Sequence, residues 1–264
     1  MTPTPEFLDQ ACESVDPPAG AKKPLYFDYY FQFEDGTTHR VDLRLDWSSL
    51  TYLPQNKPEG SAWTRLDSYQ CENCPLDPRV TTDCPVALNL KGLLDRFQSK
   101  ISHEVVEVRV NTSERDYFKK TTLQKALSSI MGVLMVSSGC PILDKLRPMV
   151  RFHLPFATAL ETAFRTTGTY LLGQFFLQKK GKAPDYSLQG LVDIYRNIRT
   201  VNKAMADRIN SVATEDAGIN ALVILDFFAV GIPLTVDAEI KGLESIFRPH
   251  DGPEKPHPPA LDHG

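Results

Sequence analysis

The chain has 264 residues, 42% hydrophobic and 23% charged, the make-up of an ordinary soluble globular protein with enough apolar side chains for a sizeable core. Its 29 basic and 33 acidic residues leave a formal net charge of −4, so bulk electrostatics give no case for a nucleic-acid partner or an anionic membrane.

Residues 1–23 are rich in Pro, Ala and acidic side chains and lack the basic start and apolar core of a secretory signal, so they read as a disordered tail. The stretch "PLYFDYYFQFEDGTTHRVDLRLDW" follows. Tyr26, Asp28, Tyr30 and Gln32 alternate with Phe27, Tyr29, Phe31 and Phe33; past "EDG", Val41, Leu43 and Leu45 alternate with charged residues. Two period-two runs flanking Asp-Gly predict a β-hairpin. "AWTRLDSY" (62–69) is a candidate third strand, and "HEVVEVRVNT" (103–112), with Val106, Val108 and Val110 on one face, a further one.

Between those strands, Leu90, Leu93, Leu94 and Phe97 recur at helical spacing and predict a helix over 86–98. From about residue 119 the pattern reads as helical throughout. Helices are expected over 121–136 (capped by Thr121 or Thr122 and stopped at "SSGCP"), over 155–180 (opening on Pro155), over 187–210, and near 215–231 and 235–247. The stripe Leu191, Ile194, Ile198, Val201, Met205 and Ile209 is a packing face. "INALVILDFFAVGIPL" (219–234) is interrupted by Asp226 and falls short of the ~20 residues a bilayer span needs, so no membrane partner is expected. Residues 248–264, with five prolines and His250, His257 and His263, read as a second disordered tail. The expected architecture is α+β: one domain over 24–247, with a small N-terminal antiparallel sheet (β-rich 24–112) packed against a helical half (119–247).

Chemistry concentrates in "CENCPLDPRVTTDCP" (71–85). Cys71 and Cys74 form C-x2-C, a spacing that can aim two sulfurs at one centre; Cys84 precedes the 86–98 helix, and Cys140 follows Gly139 where the next helix stops. Without a signal the chain is expected to be cytoplasmic, where clustered thiols serve more often as ligands than as disulfides. Cys74-Pro75, Cys84-Pro85 and Cys140-Pro141 repeat the Cys-Pro pairing of bacterial ferredoxin motifs, in which proline removes a donor and fixes the cysteine at a chain reversal. The leading expectation is a [4Fe–4S] cluster held by Cys71, Cys74, Cys84 and Cys140, for electron transfer or redox and oxygen sensing with a redox partner. The alternatives are Zn2+ in a structural interaction or assembly module, whose apolar C-terminal helices would also serve homo-oligomer contacts, and unligated buried thiols. Cys12, in the acidic tail, stands apart.

"CENCPLDPRVTTDCPVALNL" with "TTLQKALSSIMGVLMVSSGCPILDKLRPMVRFHLPFATALET" resembles an uncharacterised bacterial family, a domain of unknown function with a CxxCP…CP…SGCP cysteine pattern. The resemblance runs from near Phe27 to about Phe247. It implies that the cysteines and "RFHLPFA" belong to one domain and brings no activity with it.

Arg115, Lys119, Lys145, Arg147, Arg151 and His153 are candidates for a basic pocket beside the cysteines, suited to a small anion or a partner's acidic face, against the plainer reading of solvated charge and a hydrogen-bonded core histidine. No Walker loop, G-x-G-x-x-G, H-E-x-x-H, G-x-S-x-G or C-x3-C-x2-C occurs, and no residue is assigned a catalytic role.

Overall fold

The computed structural model describes residues 24–56, 58–213, 215–226, 229–231 and 247. Strands β1 (Leu25–Phe33) and β2 (Thr38–Leu45) pair antiparallel from Leu25↔Leu45 to Gln32↔Thr38. The turn between them uses Gly36 at φ +83°, and Asp35 accepts both the amide and the hydroxyl hydrogen of Thr37, at 2.8 and 2.6 Å. β3 (Val105–Thr112) pairs with the other edge of β1, and β4 (Asp116–Thr122) closes an all-antiparallel sheet of order β2-β1-β3-β4.

As an interior strand, β1 is covered on both faces. Phe27, Tyr29, Phe31 and Phe33 join Leu43, Leu45, Val106, Val108 and Val110 in the core. On the opposite face Asp28 is fully buried, both its carboxylate oxygens accept from Arg44, and Arg40 stands 3.8 Å away. The guanidinium groups of Arg40 and Arg44 also lie over the rings of Tyr30 and Tyr26, at 5.0 and 5.3 Å, so long cationic side chains roof this face.

Helices α1 (Pro85–Phe97) and α2 (Leu123–Val136) fill the aromatic side of the sheet, with the Phe97 ring 5.1 Å from Phe31 and Leu90, Leu123, Leu127 and Ile130 out of solvent. Each such side chain contributes about 1.5–3 kcal/mol relative to exposure, so this layer dominates the stability of the fold. A 3₁₀ turn, Leu143–Leu146, leads into the short α3 (Arg147–Arg151), then the long α4 (Ala159–Lys179) and α5 (Gln189–Asn210). Residues 217–226 and 229–231 are helical. No helix among the described residues is long and apolar enough to cross a membrane.

The α+β architecture and the hairpin are as the sequence predicts, with four differences of detail. Residues 62–69 form turns with a single bridge, Arg65↔Asp83, because Trp63, Thr64 and Leu66 are drawn inward without a neighbouring strand. β4 occupies 116–122, where helix was expected from 119; its amides pair with β3, and its exposed Phe118, Lys119 and Lys120 mark a sheet edge. α4 starts at Ala159, four residues after Pro155, because Thr158 and Glu161 form a reciprocal capping box. Thr122 stands at the N-cap of α2 but makes no capping hydrogen bond with its side chain. The two tails and nearly all of the 235–247 helix lie outside the described residues.

Candidate metal centre

The cysteines come from three segments, each fixed by local hydrogen bonds. The first is the C-x2-C turn, where the Cys74 amide donates to the Cys71 carbonyl at 3.0 Å and Gln70 donates from its side-chain amide to the Leu76 carbonyl at 2.8 Å, closing the loop. Asn73, inside the turn, donates to the backbone carbonyl of Asn197 at 3.0 Å and ties the loop to α5.

Cys84 is the N-cap residue of α1, in extended conformation with Pro85 in the first turn. Its amide donates to the Thr64 carbonyl at 2.7 Å, and Thr64 in turn donates from its hydroxyl to Asp83 at 2.6 Å. The strand-like expectation for 62–69 thus gives way to a strap that holds Cys84 against the core.

Cys140 follows α2. The chain reverses at Gly139, φ +89°, a left-handed conformation that glycine adopts without a Cβ clash. The Cys140 amide donates to Ser138 Oγ at 3.2 Å and its carbonyl accepts from Asp144 at 3.0 Å. Tyr52 donates to the Ser137 carbonyl at 3.1 Å, linking this corner to the long β2–α1 connection that carries the other three cysteines.

All four are free thiols; Cys84 and Cys140 are buried, while Cys71 and Cys74 are half-buried against the core. Burial pushes the Cys71 thiol up to about 12, with Cys84, Cys74 and Cys140 adding to the rise and Arg208 opposing it. Burial also raises Cys140; the backbone amides of Leu143 and Ile142 counter this by donating toward its sulfur, and Cys84 and Cys74 push it further up. The distant cysteine is therefore an electrostatic neighbour of the other three. Among the described residues no group of three or more Cys, His, Asp and Glu is gathered closely enough to hold a metal ion as the side chains stand.

The chemistry of the site fits an anionic inorganic centre. Its donors are all soft thiols at chain reversals, amides already point at one sulfur, and a buried cation stands beside them. That cation is Arg208 on α5, 1% exposed. It donates to the backbone carbonyls of Trp63, Arg65 (2.6 Å) and Tyr69 (2.9 Å), and its Nε has no hydrogen-bond partner. No carboxylate among the described residues forms an ion pair with it. A buried cation needs a counter-charge, and four thiolates sharing a centre would supply one. The sequence reading missed Arg208, although the signal was there: three positions after Met205, it interrupts the apolar stripe of α5 with a charge.

The six basic candidates separate. Arg115 is exposed in the β3–β4 turn, Lys145 is exposed, Arg147 pairs with Asp144, and Arg151 stacks 3.4 Å over the Trp47 ring. Lys119 and His153 come together on a cavity treated below. His153 accepts or donates through Nε2 with the Tyr29 hydroxyl at 2.8 Å, and burial, helped by Arg165, pushes its imidazolium down to about 3, leaving a neutral, half-buried histidine.

These features define an α+β protein with four free thiols where a long loop meets the ends of two helices. Residues 27–248 match the family model described as a domain of unknown function, DUF6901, and the chain belongs to that family. No curated protein and no solved structure matches it.

Proposed function

We propose that this protein is a redox protein whose Cys71, Cys74, Cys84 and Cys140 hold a [4Fe–4S] cluster. What supports the reading is the C-x2-C turn, Cys84 and Cys140 as four free thiols from three segments, with Cys74 and Cys84 raising both Cys71 and Cys140, beside the buried Arg208. The three Cys-Pro pairs favour iron–sulfur ligation over other uses of the same donors. Such a cluster would supply one-electron chemistry. With every outer position filled by thiolate it has no site for substrate, so the role is electron transfer or redox and oxygen sensing with a partner protein. Arg208 would set the potential through its charge and its burial, and the Leu143 and Ile142 amides through hydrogen bonds to sulfur.

A single Zn2+ would use the same donors, and the tight Cys71–Cys74 turn, with its 3.0 Å hydrogen bond, suits that ion as well. Zinc would make the protein a structural interaction or assembly module, unfolded by chelators. Anaerobic purification followed by iron, acid-labile sulfide and zinc analysis separates the two. The expected result is brown protein with about four irons and four sulfides per chain. Colourless protein with about one zinc per chain moves the assignment to the structural module, and folded, metal-free protein removes both.

A further inference from the structure

A second site lies on the other side of the Leu143–Leu146 turn. A cavity of about 550 Å³, within the size range of small-molecule sites, opens between α2, the segment from Leu143 to Arg165, α5 and the residues Ile224, Leu225 and Ala229. Its walls are mainly apolar, including Val133, Val136, Leu146, Val150, Leu154 and Ile198. Three basic side chains reach it, Lys119, Lys125 and Arg165, and no Asp or Glu lies among its described lining residues.

Arg165 is the anchor. Its Nη2 donates to the carbonyls of Met149 (3.1 Å) and Phe152 (2.6 Å), which aims the guanidinium. No carboxylate among the described residues forms an ion pair with it. Glu161, its acidic neighbour, is engaged by the Thr158 amide and hydroxyl in the capping box. Phe156, another lining residue, holds a left-handed φ of +60°, an uncommon conformation for a bulky side chain and one that clusters at ligand sites.

An apolar chamber with cations and no acid among its described lining residues is complementary to a molecule with an apolar body and one anionic end. We propose that this cavity binds an amphipathic carboxylate, its aliphatic body against the α2 and α5 walls and its carboxylate on Arg165, with Lys119 and Lys125 adding attraction at the exposed side. The site stands independently of the metal centre, since none of the four cysteines lines it.

The test is calorimetric titration of the full-length protein with octanoate, decanoate and dodecanoate, and with 1-octanol and octylammonium as matched neutral and cationic probes. Saturable binding of one carboxylate per chain is expected, tightening about three- to fourfold per added methylene, with octanoate at least about tenfold tighter than 1-octanol. Arg165→Gln, checked for fold by circular dichroism, is expected to weaken octanoate about tenfold or more and leave 1-octanol unchanged. Should that variant fail to fold, the exposed pair Lys119→Gln/Lys125→Gln decides, with a several-fold loss expected for octanoate alone. Absence of saturable dodecanoate binding, equal affinity for 1-octanol and octanoate, or folded variants that bind octanoate as the parent does would each overturn the proposal.

Discussion

Arg208 Nη1 donates a 2.6 Å hydrogen bond to the backbone carbonyl of Arg65, across 143 positions of sequence and from inside the core. With the matching bonds to Trp63 and Tyr69, one side chain of α5 fixes the path of the strap that carries the chain to Cys71. Arg208→Met is expected to remove a donor from three carbonyls, leaving those of Trp63 and Tyr69 without this partner, and to destabilise the fold by roughly 3–5 kcal/mol. Urea unfolding of the purified variant measures this. Arg208→Lys keeps the charge but loses the planar fork, so it should recover only part of the loss; full recovery would mean that charge alone matters there.

Asp28 poses the same problem with the sign reversed. Fully buried on β1, it is held by Arg44 and faced by Arg40. Asp28→Ala removes a buried carboxylate that accepts from Arg44, with an expected loss of roughly 3 kcal/mol. A double-mutant cycle with Arg44→Ala should show strong coupling, because the two side chains are in direct contact.

His153 makes acid stability predictable. Its folded pKa, about 3, lies below the ordinary value of 6.5, so the unfolded chain takes up the proton first. The contribution is fully present above pH 6.5 and is lost as pH falls from there toward 3, with a limiting slope of about 1.4 kcal/mol per pH unit. Denaturant midpoints across this window should fall, and His153→Gln, which keeps a partner for Tyr29, should flatten the decline.

The capping box gives a smaller, local effect. Thr158→Ala removes a side-chain acceptor from the Glu161 amide at the start of α4 and should lower stability by about 1 kcal/mol, which thermal unfolding measures.

What the chain declares about itself follows the range of each interaction. The hairpin, α1 and the stripe of α5 are written in period and turn chemistry, which are local, and the family resemblance seen from Phe27 to about Phe247 coincides with the matched span 27–248. β4 is not legible, because "DYFKKTT" carries the charges of an edge and gains its strand character only from pairing with β3. The 62–69 strap alternates like a strand, yet its inward residues are claimed by Asp83, Cys84 and Arg208, all distant in sequence. In the site, the residue types and spacings single out the four cysteines, and the structure adds the electrostatic influence of Cys140 on Cys71 across the chain. The basic cluster near Cys140 disperses, because Arg147 and Arg151 find Asp144 and Trp47 first.

Whether the thiol of Cys140 completes one shared centre is read most directly from metal content after anaerobic expression, comparing the parent with Cys140→Ser and with Cys12→Ser as control. The account predicts about four irons and four sulfides in the parent and in Cys12→Ser, with a loss of at least half in Cys140→Ser. Iron and sulfide undiminished in Cys140→Ser, or a folded parent carrying no metal at all, would contradict it.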